Sequence, residues 1–365
     1  MAAQSDSASD RQNVEPLLAG YRPLPGIFDE MVDRNGRVRA HWQPLLGLLF
    51  NPGQVDIGGT KLAAGVVSAD GRMLAAERLV TPPVWSADEL FQVLEDLCQR
   101  VLKTADTNVV GIGVGCGGPM IYPDGIVSPL NIVSPSGEPI WRDFPLRARL
   151  AEAFGRPCVV DNDAKALALG ERWQGAGRGS NNMLGMVVST GVGGGIILDG
   201  KLLNGFAGNS GHVGHIIVWP NGPLCGCGAR GCVEGVASGS GLARRLADAL
   251  AAGASTSLAP GSTAVEIAAA ARQGDALASE LFRTAGEGVG RGIASAAALL
   301  DLELVVIGGS IALRAWDLLG PPLEATLRAT ARLDFTRGVR VVHAELGDQA
   351  GLFGAALLAF QSVGA

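Results

Sequence analysis

Apolar and polar positions along this chain change period several times, and the changes mark out alternating strands and helices. The first clear strand is Val55-Asp56-Ile57, which ends in Gly58-Gly59-Thr60-Lys61 and is followed by a second strand-like run, Leu62 to Val67. Asp70-Gly71 then supplies a hairpin turn. The order is strand, glycine turn, strand, whereas a dinucleotide-binding fingerprint or a P-loop runs from its glycine turn into a helix. Residues 86–103 place apolar side chains at helical spacing, with Asp88 and Glu89 near the start. Residues 109–114 form a strand that leads into Gly115-Cys116-Gly117-Gly118-Pro119, and a helix over about 145–154 precedes a strand over 157–160. Asp161-Asn162-Asp163 stands at the end of that strand, and a helical run, Ala164 to Trp173, follows at once. Gly185–Ser189 is a strand running into a loop, Thr190-Gly191-Val192-Gly193-Gly194-Gly195, and Ile196–Leu198 is another, turned by Asp199-Gly200. Further helices are predicted over 238–251, 263–272, 276–299 and about 351–361, and Leu304–Ile307 is a strand ending at Gly308-Gly309-Ser310. Asp56, Thr190 and Gly309 all fall at or just past carboxyl ends of strands. Ligands of open α/β sheets bind there.

The segment ahead of this pattern differs. Residues 1 to about 15 are small and polar, the composition of a disordered tail. Residues 16–52 hold Pro16, Pro23, Pro25, Pro44 and Pro52 and an apolar run after Trp42, and read as an accessory segment: a lid, an oligomer arm or an irregular cap. The 365 residues are long for one core and fit two packed domains. A net charge of −6 with dispersed arginines argues against a nucleic-acid surface. No stretch is apolar over the roughly 18 residues that a membrane helix needs.

Three of the six cysteines stand in one cluster, Cys225-Gly226-Cys227 and Cys232, with His215 ten residues before the first. Three thiolates and one imidazole make a four-ligand zinc set with no open position, so the expected site is structural, not hydrolytic. Cys98, Cys116 and Cys158 read as isolated thiols. That usage fits a reducing, cytoplasmic compartment better than a disulfide framework.

These motifs, in this order, resemble the ROK family of sugar kinases within the actin-like ATPase and hexokinase fold. The resemblance covers roughly 54–361 and rests on Asp56-Ile57-Gly58-Gly59-Thr60-Lys61, Asn162-Asp163-Ala164, Ser189 to Gly194, Gly214-His215, the cysteine cluster with Glu234, and Val306 to Gly309. It implies an α/β protein of two duplicated, ribonuclease H-like domains about a central nucleotide cleft. A small domain would span 54–120, completed by a C-terminal helix within 345–363. A large domain over 121–344 would hold the zinc, and residues 1–53 would be an extension. It also implies ATP, Mg2+, structural Zn2+, a small-molecule sugar or cyclitol and a homodimer, with no nucleic-acid or membrane partner.

The resemblance assigns roles residue by residue. Asp56, Gly58, Gly59, Thr60 and Lys61 would face the transferred phosphate and magnesium. Thr190, Gly191, Gly193 and Gly194 would form a second phosphate loop, and Gly308, Gly309 and Ser310 would meet the nucleoside. Asp163 would be the general base toward a primary hydroxyl, or the N-cap of its helix, or both. Asn162, Gly118, Asn131 and Glu234 would hold the substrate, with His215 reaching a hydroxyl through its second nitrogen. His212 departs from the family pattern, which carries glutamate there. An imidazole in place of an acceptor-only carboxylate points away from glucose and toward an altered acceptor such as a C7-cyclitol. The alternatives are glucokinase or N-acetylmannosamine kinase activity, and a sugar-responsive regulator that kept the fold.

Overall fold

A computed structural model describes residues 53–57, 61–129 and 132–363. The expected extension over 1–53 lies outside them apart from Gly53, as do Gly58, Gly59, Thr60 and Asn131. In chain order the elements are β1 (Gly53–Ile57), β2 (Lys61–Val67), β3 (Met73–Val80), α1 (Ala87–Ala105), β4 (Ile112–Cys116), β5 (Met120–Ile121), β6 (Ile126–Val127), α2 (Leu146–Phe154), β7 (Cys158–Asn162) and α3 (Asp163–Gln174). There follow β8 (Met183–Val188), β9 (Val192–Leu198), β10 (Lys201–Leu202), α4 (Val233–Ala237), α5 (Gly239–Ala251), α6 (Ala264–Arg272), α7 (Ala276–Leu300), β11 (Leu304–Gly308), α8 (Ser310–Arg314), α9 (Trp316–Thr330), β12 (Arg340–His343) and α10 (Ala350–Ser362).

Two five-stranded mixed sheets organise the molecule. The first has the order β3-β2-β1-β4-β7 and the second β10-β9-β8-β11-β12. In each, three antiparallel strands are extended by two parallel ones. Parallel register aligns the strand ends: Ile57 lies opposite Cys116, and Cys116 opposite Asn162, so three strands end side by side. In the second sheet Gly308 pairs with Val187, one residue before β8 ends.

Each sheet has a core on its outer face. Leu62, Phe91, Leu94, Trp141, Leu150 and Val160 pack between the first sheet and α1 and α2. Capping makes α1 self-contained, since Ser86 and Glu89 form a reciprocal box at its start. This core takes in Trp141, Leu150 and Val160, and β7 is a strand of the first sheet. Leu184, Ile196, Leu246, Phe282, Val289 and Leu323 build the second core under α5–α9. Between the sheets, α10 lies against β1, β2, β4 and β7, α3 lies against β8 and β9, and the two helices pack on each other. They approach closely at two glycines: a Cβ on Gly354 would fall 1.6 Å from the Ala166 carbonyl oxygen, and one on Gly170 would fall 2.1 Å from that of Ala350.

Candidate functional site

The carboxyl ends of β7 and β8, the start of α3 and the segment before α4 converge on one region. Asn162 is the N-cap of α3: its Oδ1 accepts from the Ala164 amide at 3.0 Å. The capping role expected of Asp163 therefore falls mainly to Asn162, and Asp163 becomes the first helical residue, although its own Oδ1 also accepts from Ala164 at 2.8 Å. Asp163 keeps some solvent access, yet protein crowds it on most sides. That desolvation lifts its pKa above the ordinary carboxylate value, against smaller opposing effects from backbone N–H groups and from His212. A carboxylate so placed is a better proton acceptor than an exposed one.

The second glycine motif is shorter than its sequence suggests. Strand β9 begins at Val192, so Gly193 and Gly194 are strand residues and the turn is Ser189–Gly191. That turn is held from two sides. The Gly239 amide donates to the Ser189 carbonyl at 2.8 Å, Ser240 Oγ donates to the Thr190 carbonyl at 2.9 Å, and the Ser189 and Ser310 hydroxyls lie 2.9 Å apart. Gly309 opens α8 at φ +96°, and a Cβ there would strike the Val188 carbonyl oxygen at 2.5 Å, so only glycine fits beside β8. Ser189, Thr190, Gly309 and Ser310 are thus brought together.

His212 precedes the short turn Val213–His215 and His215 ends it, and their rings lie 6.1 Å apart. Gly211, at φ +98°, lets this segment press on β9: a Cβ there would sit 2.3 Å from the Gly194 carbonyl oxygen. Partial burial, then His215 and Lys165, hold His212 below the ordinary imidazole pKa, while Glu234 and Asp163 pull the other way. His212 and Asp163 thus lie within electrostatic reach of each other. Glu234 Oε2 accepts from the Val192 amide at 3.0 Å, and its Oε1 lies 3.7 Å from Cys225 Sγ. This carboxylate links the Ser189–Gly191 turn to the cysteine cluster through the adjoining Val192, a connection that sequence spacing alone does not reveal.

The ligand atoms of His215, Cys225, Cys227 and Cys232 all lie within 4.8 Å of one another. Cys227 and Cys232 Sγ are 3.8 Å apart, as are Cys225 Sγ and His215 Nδ1. A tetrahedral centre with bonds of about 2.3 Å to sulfur requires edges of about 3.8 Å, so the donor set fits one metal ion.

Not every expected residue joins the cluster. Lys61 Nζ is paired with Asp348 Oδ1 at 2.8 Å, on the segment leading into α10. Gly118, just past β4, faces open space, since the nearest atom to a Cβ there is the Met120 amide nitrogen at 3.8 Å. The side chain of Asp56, expected near magnesium, lies outside the described residues.

The ROK family model matches residues 53–362. The chain belongs to the ROK family. It is 34% identical over 317 residues to a glucokinase of Thermotoga maritima, covering 85% of this chain and 97% of that relative. It is 36% identical over 311 residues to an N-acetylmannosamine kinase of Yersinia pseudotuberculosis, covering 85% and 98%. Its fold matches the crystal structure of a ROK family glucokinase from Streptomyces griseus in complex with glucose and AMPPNP, with TM-score 0.67, 36% identity and coverage of 85% and 99%.

Within this ROK chain one further constellation was missed in the sequence. Lys165 and Asp161 are 1% and 2% exposed and form an ion pair at 2.8 Å across the junction of β7 and α3. The available signal was a lysine amid the small and apolar run Ala164 to Leu169, four residues after an aspartate. Among the described residues no helix is long and apolar enough to cross a membrane.

Proposed function

We propose that this ROK-family carbohydrate kinase transfers the γ-phosphoryl group of ATP to a primary hydroxyl of a hexose or N-acetylhexosamine, with Asp163 as general base. The observation that carries the reading is the Asp163 carboxylate, desolvated and raised in pKa at the carboxyl end of β7, beside His212. In the reaction Asp163 takes the hydroxyl proton, the freed oxygen bonds to the γ-phosphorus, and the bond to the bridging oxygen of ADP breaks. Asn162, its Oδ1 engaged by Ala164, offers its amide donors to the acceptor. The Ser189–Gly191 turn, braced by α5 and α8, presents backbone N–H groups to the phosphates, and Gly308 and Gly309 border the nucleoside. Magnesium bound with the nucleotide supplies charge neutralisation on the phosphates.

Zn2+ suits the His215, Cys225, Cys227 and Cys232 set, where it would brace the segment carrying His212 and Glu234. The shared order and strand sense of the two sheets support reading them as duplicated, ribonuclease H-like lobes around the nucleotide cleft. The small lobe then extends to about residue 162 and is backed by α10. A homodimer is an expectation of the family resemblance alone, and sedimentation reads it.

The relatives reported above are named for glucose and N-acetylmannosamine, which favours sugar acceptors over the cyclitol that His212 suggests in the sequence. A C7-cyclitol is the second reading, carried by His212 alone. Coupled ADP release across hexoses, N-acetylhexosamines and C7-cyclitols tests both. The expected result is the highest kcat/KM on a sugar. A cyclitol far ahead of every sugar transfers the assignment to the second reading, and no acceptor-dependent ADP release overturns both.

A further inference from the structure

We propose that Lys165 is a positioning residue for acceptor recognition, clamping the segment Asn204–Gly208 against the helix that carries Asp163. The proposal rests on the kinase reading above. Lys165 Nζ donates to Asp161 Oδ1 at 2.8 Å and Oδ2 at 3.0 Å, to Asn204 Oδ1 at 2.8 Å and to the Gly208 carbonyl at 3.0 Å. Two acceptors belong to β7 and two to a segment about forty residues away. All three ammonium protons are therefore engaged, with Asp161 sharing one between its oxygens.

The two distant contacts bracket Gly205–Ala207, at whose apex Phe206 is fully exposed. The loop is closed behind them by the Ser210 amide, which donates to the Asn204 carbonyl at 3.1 Å, and the chain then passes directly into Gly211 and His212. The first lobe joins the same knot through the β5–β6 hairpin. The Lys165 ammonium lies 5.4 Å from the centre of the Tyr122 ring, and a Cβ on Gly208 would sit 2.4 Å from Tyr122 Cβ. One ammonium thus fixes the general-base helix, the segment leading to His212 and a hairpin of the opposite lobe relative to one another.

A purely space-filling role does not call for this arrangement. An apolar residue of similar volume would fill the site without desolvating a charge, and buried ion pairs are often no more stabilising than such a replacement. What the charge adds is direction: four bonds that no apolar residue makes. Their distribution, half of them to a loop that leads directly into Gly211 and His212, points to the geometry of the acceptor pocket.

Lys165→Met would strand the Asp161 carboxylate in the interior and threaten folding, so the test uses Asn204→Ala, which leaves the Asp161–Lys165 pair and the Gly208 contact in place. It is joined by the double variant Asp161→Asn/Lys165→Met, which removes both charges together. Steady-state kinetics on the best sugar acceptor and hydrogen exchange over residues 203–211 are measured for wild type and both variants. Loss of a bond to a charged group is expected to raise the acceptor KM about tenfold. The ATP KM should stay within about twofold, and exchange in 203–211 should quicken. An unchanged acceptor KM, or a parallel loss of kcat, both KM values and thermal stability, overturns the proposal. If wild type phosphorylates no sugar, the kinase reading fails separately. The exchange data then decide the clamp: faster exchange supports it and unchanged exchange overturns it.

Discussion

Replacing Asp163 by asparagine tests the chemistry with little change of shape. The amide keeps an oxygen for the Ala164 N–H that Asp163 now binds at 2.8 Å, and the Asn162 cap at 3.0 Å is untouched. What is lost is the proton acceptor. General-base catalysis contributes about 10²- to 10⁴-fold, which corresponds to about 3–5 kcal/mol of barrier. Turnover should fall by that factor while the acceptor and ATP KM values stay within about threefold. Stability should move the other way. Desolvation sets the folded pKa of Asp163 above its unfolded value. Ionisation therefore burdens the native state increasingly as pH rises from the unfolded pKa and fully once it exceeds the folded one. The substituted amide carries no charge, so the variant should melt higher than wild type at pH 7.5, and the gain should vanish below about pH 4. The wild-type kcat/KM should fall on the acid side through the raised pKa, at higher pH than an exposed carboxylate would give. Coupled ADP release and thermal denaturation over pH 4–9 read all three quantities. Turnover within fivefold of wild type, or a lower melting temperature at pH 7.5, would refute the reasoning.

Three further outcomes are expected. Chelation of the metal, or Cys232→Ser, should release one equivalent of zinc by mass spectrometry and raise the acceptor KM more than the ATP KM, because the cluster touches Glu234 and the segment of His212. Gly354→Ala would push a Cβ to 1.6 Å from the Ala166 carbonyl oxygen and should cost about 1–3 kcal/mol or more by denaturant titration, since backbone on both helices must shift. Glu171, fully buried, accepts from the Ala176, Glu345 and Leu346 amides at 2.9, 3.1 and 2.9 Å. Glu171→Ala should cost more than about 3 kcal/mol by the same titration, and Glu171→Gln, which keeps an acceptor oxygen, clearly less.

Much of the architecture was legible because it is written in short-range pattern. The helices over 86–103, 263–272 and 276–299 differ from the observed elements by a residue or two, as capping and amphipathic spacing are local signals. Strand β12 and helix α9 were not read: the strand has four residues, and α9 carries Pro321 and Pro322, which in sequence argue against a helix. That β7 belongs to the first sheet was not legible because it joins through a parallel pairing with β4, more than forty residues away. At the site, the cysteine spacing announced a metal set, and the structure brings its four ligands together. The glycines after Thr190 looked like one long loop, yet three of them, Gly193 to Gly195, are strand residues that allow close approach of α3 and Gly211. The Lys165 knot was invisible because its partners, Asn204 and Gly208, meet it only through the fold.

The central claim is most directly tested by identifying the product. Wild-type protein is incubated with ATP, magnesium and the preferred sugar, and the products are followed by phosphorus and carbon NMR. Equal amounts of ADP and a phosphate monoester on the exocyclic CH2 oxygen, absent with Asp163→Asn, are the expected result. ADP formed at the same rate without sugar, or an ester on any other oxygen, would contradict it.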